Sequence, residues 1–157
     1  MQGGGLMYWG VVSSNGLCAL KEIEGTLTAN KYVDLLCSFG VPWMKLNYKG
    51  QFYFIQDNCR PHVAKSSKLF LDNQSFKTIK WPPCSPDLNI MENMWKMLSD
   101  DVYNGPQPRN KIELRQRIFK AVDNVNSTKR NVVKALFDNY RSRMTAVLLK
   151  KGNIINK

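Results

Sequence analysis

The sequence predicts an α/β domain, and three observations predict it. Apolar runs of strand length alternate with segments of helical spacing. Their order is hairpin, helix, strand, helix, strand and then helices, which is the α/β pattern. With 157 residues, 43% of them hydrophobic, the chain can bury one sizeable core and is too short for two full-sized domains.

Each element has a local cause. Residues 6–13 and 17–23 are short apolar runs on either side of Asn15-Gly16, a pair that tolerates positive φ and so signals a hairpin. Thr28 can cap a helix over 29–39, with Tyr32, Leu35, Leu36 and Phe39 on one face. Pro42 and Gly50 bracket a loop. Phe52-Tyr53-Phe54-Ile55 reads as a strand buried on both faces, running into Gln56-Asp57-Asn58. Pro61 suits the first turn of a helix that continues from Val63 to Leu71, and residues 76–79 form another brief strand.

Trp81-Pro82-Pro83-Cys84-Ser85-Pro86 is a rigid loop, after which Asp87 can cap a helix carrying Leu88, Met91, Trp95 and Leu98. Gly105, Pro106 and Pro108 end that segment. Two helices follow, over 111–125 and 128–150. The second bears a stripe of Val133, Leu136, Phe137, Tyr140, Met144, Val147 and Leu148 and stops at Gly152.

Composition excludes a disordered chain, a collagen-like repeat and a small disulfide scaffold. No apolar run approaches the ~20 residues of a membrane-spanning helix, and Met1-Gln2-Gly3-Gly4-Gly5 lacks the basic start of a signal peptide. The expected compartment is intracellular, where Cys18, Cys37, Cys59 and Cys84, with no CxxC pair among them, are reduced thiols. The net charge is +11, and residues 103–157 hold 13 basic and 3 acidic side chains. That block suits a polyanion, because Lys and Arg that neutralise phosphates release counterions. It reads equally as a solvated helical face. A membrane surface fits less well, since the block lacks an aromatic-rich amphipathic face.

The carboxylates need the same two-sided reading. Asp57 follows four large apolar residues, so it lies at a strand's carboxyl end, where ligands bind in open α/β sheets. It could also cap the helix that begins near Pro61. Glu92 sits one turn into its helix, four residues before Lys96, the spacing of a surface ion pair. Together the two have the elements of a Mg²⁺ site beside a basic block.

At this point the sequence resembles a family. Gln56-Asp57-Asn58-Cys59-Arg60-Pro61-His62-Val63-Ala64 is similar to the second-aspartate motif of mariner-superfamily transposases. Trp81-Pro82-Pro83-Cys84-Ser85-Pro86-Asp87-Leu88-Asn89-Ile90-Met91-Glu92-Asn93-Met94-Trp95 is similar to their third-acid motif. Thirty-four residues separate Asp57 from Glu92, the spacing of the branch whose third acid is glutamate. Gly3-Gly4-Gly5-Leu6-Met7-Tyr8-Trp9-Gly10 resembles the family's glycine-rich strand. Arg141-Ser142-Arg143 and residues 147–152 resemble its ending.

The resemblance implies a ribonuclease-H-like mixed sheet with flanking helices, as in integrases and transposases. It implies catalytic and metal-binding roles for Asp57 and Glu92. The implied reaction is Mg²⁺- or Mn²⁺-dependent DNA cleavage and strand transfer, between terminal inverted repeats and TA target sites, in the nucleus. Residues 1–104 correspond to a partial catalytic core and 105–157 to basic helices of the same domain. A homo-oligomer is a further expectation. The DNA-facing set is Arg60, His62, Arg109, Lys111, Arg115, Arg117, Lys129, Arg130, Lys134, Arg141 and Arg143.

Two departures stand out. Ile90 replaces the family's usual proline. The first-aspartate strand and the helix-turn-helix region have no counterpart in these residues, so the first central strand is expected to be lacking and the chain inactive alone. Asp34 cannot substitute, because it falls on the 29–39 helix. Cys59 and His62 form a zinc half-site without a second Cys/His pair and are set aside. Gly3-Gly4-Gly5 is no phosphate loop, since neither GKS nor GKT follows. Trp9, Trp43, Trp81 and Trp95 read as core or loop anchors. The rival readings are a non-catalytic DNA-binding protein of transposon origin and a truncated product without function.

Overall fold

The computed structural model describes residues 5–83, 85–140, 142, 144 and 145, Asp87 by its backbone alone. They fall into two compact units, those up to Leu20 with those from Pro86 onward, and those from Lys21 to Ser85. The strands form two separate two-stranded sheets. The expectations for Gly3, Gly4, Cys84, Arg141, Arg143 and the 147–152 ending lie outside the described residues.

The hairpin forms as its sequence signals. Strand β1 (Met7–Val12) pairs with β2 (Cys18–Ile23) across a turn in which Gly16 takes φ +78°. Ser13 N–H closes the turn on Leu17 O at 2.8 Å. A side chain at Gly16 would be strained by the positive φ and would meet Arg130 O at 2.3 Å, so only glycine fits.

In the first unit the core is built on α5 (Ile90–Val102), α6 (Lys111–Thr128) and α7 (Arg130–Asp138). Its buried residues are Cys18, Ile90, Met94, Leu98, Val102, Ala121, Val125 and Val133. Gly10 lets β1 approach α5, because a Cβ there would lie 2.5 Å from Met91 Cε and 2.9 Å from the Trp95 ring. The Asn126 side chain acts as a strand neighbour for Cys18. It accepts from Cys18 N at 2.8 Å and donates to Cys18 O at 2.9 Å. Two sequence expectations are corrected here. Asn89, not Asp87, caps α5, accepting from Met91 N at 3.0 Å. Helix α7 ends at Asp138 with a turn at Asn139, although Tyr140, Ser142, Met144 and Thr145 are helical again.

In the second unit Thr28 caps α1 (Ala29–Leu35), as its position before the apolar spacing predicts. The loop expected at Pro42 is instead helix. A π-helical turn over Leu36–Gly40 leads directly into α2 (Val41–Asn47). The wider turn bonds Val41 N–H to Leu36 O and places Pro42 in the opening turn of α2, where no N–H is required.

Strand β3 (Tyr53–Ile55) runs parallel to β4 (Lys77–Ile79), with Phe54 opposite Thr78. The strand expected to be buried on both faces is buried on one. Phe54 is 7% exposed, whereas Tyr53 and Ile55 are 67% and 41% exposed. Phe76 holds the covered face, stacking on Phe52 at 4.9 Å and meeting Phe54 edge-on at 5.8 Å. The single helix expected over 61–71 is two, α3 (Arg60–Val63) and α4 (Lys65–Asp72), because Ala64 is extended at ψ 151°. The buried Ser67 hydroxyl bonds Pro61 O at 2.6 Å across the break. Among the described residues no helix is long and apolar enough to cross a membrane.

Candidate active site

Asp57 stands two residues beyond the carboxyl end of β3, the place its apolar run predicts. Its Oδ1 accepts from Cys59 N at 3.1 Å, a side-chain turn that starts α3. The same oxygen lies 2.7 Å from His62 Nδ1. Asp57 therefore starts the turn without capping α3, whose N-cap residue is Cys59 with no side-chain cap bond. The Asp57 side chain remains 48% exposed, while that of His62 is 13% exposed.

A chain of polar contacts braces this turn from the unit's core. Tyr32 is fully buried, and its hydroxyl donates to Gln56 Oε1 at 2.5 Å. Gln56 Nε2 donates to His62 O at 3.1 Å, and the Tyr32 and His62 rings lie 4.2 Å apart. Asn58 Nδ2 ties the turn to Trp81 O at 2.9 Å, which fixes the start of the proline loop. His62 Nε2 is buried with no hydrogen-bond partner among the described residues.

Burial alone would raise the Asp57 carboxyl, but Cys59 N–H, the Cys59 thiol and the His62 ring outweigh it and hold it below its ordinary value. Burial, with help from the Asp57 carboxylate, pushes the Cys59 thiol up to about 11. Burial pushes Cys18 up to about 11 as well, consistent with an inert core thiol.

Glu92 lies in the other unit, exposed in the first turn of α5, where a carboxylate suits the helix dipole. The ion pair that its spacing offers is not formed. Lys96 pairs with Asp100 at 3.1 Å instead, leaving Glu92 without an ion pair among the described residues. Asp34 sits exposed on α1, as expected.

The basic set divides by what its members touch. Arg117 spans Glu113 at 2.7 Å, Pro106 O at 2.6 Å and Val102 O at 3.3 Å. Lys129 pairs with Asp101 at 2.5 Å, and Arg130 Nε donates to Asn15 O at 2.7 Å. Arg109 pairs with Glu113 but is 88% exposed. Arg60, Lys111 and Lys134 are exposed, and Arg115 is half-buried on α6. Sequence reasoning missed Tyr32 and Gln56 as braces. It also missed Asp57 as the companion of Cys59 and His62, for which the signal was three ligand-type side chains within six residues.

Residues 2–115 match the family model described as DDE superfamily endonuclease, and the chain belongs to that family. It is 30% identical over 150 residues to the Transposable element Tcb1 transposase of Caenorhabditis briggsae, covering 96% of this chain and 54% of that one. It is 28% identical over 156 residues to the Transposable element Tc3 transposase of Caenorhabditis elegans, covering 98% and 46%. The chain thus spans about half the length of these relatives. Its fold matches that of the Mos1 transposase catalytic domain solved with Raltegravir and Mn, with a TM-score of 0.78, 12% identity and coverage of 96% and 76%. It also matches the Mos1 mariner transposase catalytic domain, with a TM-score of 0.76 and 13% identity. The ribonuclease-H-like α/β fold implied by the motifs is the one found.

Proposed function

We propose that these residues are the carboxy-terminal part of a transposase catalytic domain whose reaction is metal-dependent DNA cleavage and strand transfer, and that they are catalytically incomplete by themselves. The observation that carries this reading is Asp57, braced just past the carboxyl end of a parallel strand within the family's second-acid motif. Residues 1–104 then act as the partial core and 105–157 as basic helices for DNA. Terminal inverted repeats and TA sites are the substrates, in the nucleus, with a homo-oligomer as the working form.

The carboxylates of Asp57 and Glu92 are hard oxygen donors that fit Mg²⁺ or Mn²⁺ by type, and both are exposed. Each is a residue of the type that would hold such an ion. When bound, it supplies an activated oxygen nucleophile and charge neutralisation at the leaving oxygen. The chain's own contribution is to aim Asp57, through Cys59 N–H and His62, and to present cations to phosphate. Two carboxylates are too few to fix the pair of ions that in-line displacement uses, so efficient cleavage is not expected.

A DNA nicking assay with Mg²⁺ tests this. The expected result is little or no cleavage. Robust nicking abolished in both Asp57→Asn and Glu92→Gln would show a complete site and overturn the incompleteness. The exposed Arg60, Lys111 and Lys134 favour a second reading, a non-catalytic DNA binder. Affinity that falls steeply with salt would support binding through phosphates, and salt-independent affinity would remove it.

A further inference from the structure

We propose that Asp57, Cys59 and His62 form a binding site for a thiophilic divalent ion such as Zn²⁺, distinct in chemistry from a Mg²⁺ site. One ligand atom from each lies within 4.8 Å of the other two. Ligand atoms around a tetrahedral zinc stand roughly 3.4–3.7 Å apart, given bonds of about 2.0–2.3 Å. The 2.7 Å gap between His62 Nδ1 and Asp57 Oδ1 must open slightly, and the thiol must close by about 1 Å, within the reach of side-chain rotation.

The turn is already built for this. Cys59 O accepts from His62 N at 2.9 Å and Val63 N at 3.2 Å, so the backbone between two of the ligands is closed. The His62 ring packs against the Tyr32 ring, and Gln56 bonds the His62 carbonyl, so both the ring and the backbone of this residue are held. Its Nε2 is buried, so Nδ1 is the nitrogen left to coordinate. The sulfur–nitrogen–oxygen donor set selects Zn²⁺ or Co²⁺ over Mg²⁺, which prefers six oxygens. With Asp57 and Cys59 both exposed, three protein ligands leave a fourth position for water. The site holds whether or not Asp57 also serves Mg²⁺. If it does, the two kinds of ion compete for one carboxylate.

The test uses Co²⁺ as probe on the reduced, purified chain. A near-ultraviolet thiolate-to-cobalt band is expected, saturating near one equivalent, bleached by Zn²⁺ and persisting in excess Mg²⁺. Cys59→Ser removes a ligand, so it should abolish the band and weaken Zn²⁺ binding by more than the roughly 10-fold that loss of an outer support costs, whereas Cys37→Ser and Cys84→Ser should do neither. A second measurement needs no variant. His62 is the single histidine, so its imidazole nitrogens are resolved by ¹⁵N NMR. About one equivalent of Zn²⁺ should shift the Nδ1 resonance, because the ion takes the lone pair at Nδ1 and the proton shared there with Asp57 is displaced. A cobalt band that survives in Cys59→Ser, no band in the wild-type chain, or an unmoved Nδ1 resonance would each overturn the site.

Discussion

The two units hold their acidic residues in different ways. In the first, Glu92 lies on the exposed surface of α5, a helix whose other side (Ile90, Met94, Leu98 and Val102) is packed in apolar core. In the second, Asp57 is joined to the core by polar contacts running from Tyr32 through Gln56 to His62. Burial positions the helix that bears Glu92, because apolar packing is insensitive to what an outward side chain does. Hydrogen bonds position Asp57 itself, because a turn has no other means of fixing a carboxylate.

If that contrast holds, the largest effect comes from the first unit's core. Met94→Ala removes a fully buried side chain and should cost about 2–5 kcal/mol, read from the urea midpoint. A loss well under 1 kcal/mol would mean that the helix is not held by burial. Asn126→Ala strands the buried Cys18 N–H and C=O and should cost about 1–3 kcal/mol. Faster amide hydrogen exchange at Cys18 is the local readout.

The second unit should answer more in geometry than in stability. Tyr32→Phe deletes the hydroxyl that holds Gln56 and should cost about 1 kcal/mol. It should also move the His62 imidazole resonances. Unchanged resonances would show that the polar chain does not set the turn.

The smallest effect is electrostatic. Arg109 N–H, followed by the Arg117 and Arg109 side chains, lowers Glu113 to about 2. A depressed folded-state value favours the ionised form, so the contribution is present above the unfolded value near 4.5 and lost as pH falls towards about 2. Glu113→Gln should flatten the stability profile across that window, an effect weakened by salt. An unchanged profile would remove Glu113 from the account.

The elements legible beforehand depend on neighbours in sequence. Asn15-Gly16 made the hairpin, Thr28 capped α1, and an apolar run ending at Ile55 placed Asp57 just past a strand terminus. Two motifs at the right separation led to the family, which the match over residues 2–115 bears out. Pro42 misled because a proline normally marks a break, and the π-helical turn that admits it depends on packing around Leu36 and Gly40, both buried. Phe52-Tyr53-Phe54-Ile55 misled because consecutive apolar residues carry no record of how many faces will be covered.

By itself the sequence determined the family, the α/β class, the Thr28 cap and the Asn15-Gly16 turn, and where in the chain the acids fall. Each of these follows from residue type and spacing over a few positions. Only the tertiary structure decided that Asn126 would complete β2, that Arg117 and Lys129 would bond within their own unit, and that Tyr32 would brace the Asp57 turn. The bonds of Arg117 to Pro106, Tyr32 to Gln56, Lys129 to Asp101 and Asn126 to Cys18 join residues 11 to 108 positions apart, and a hydrogen bond across such a gap is set by how the elements pack.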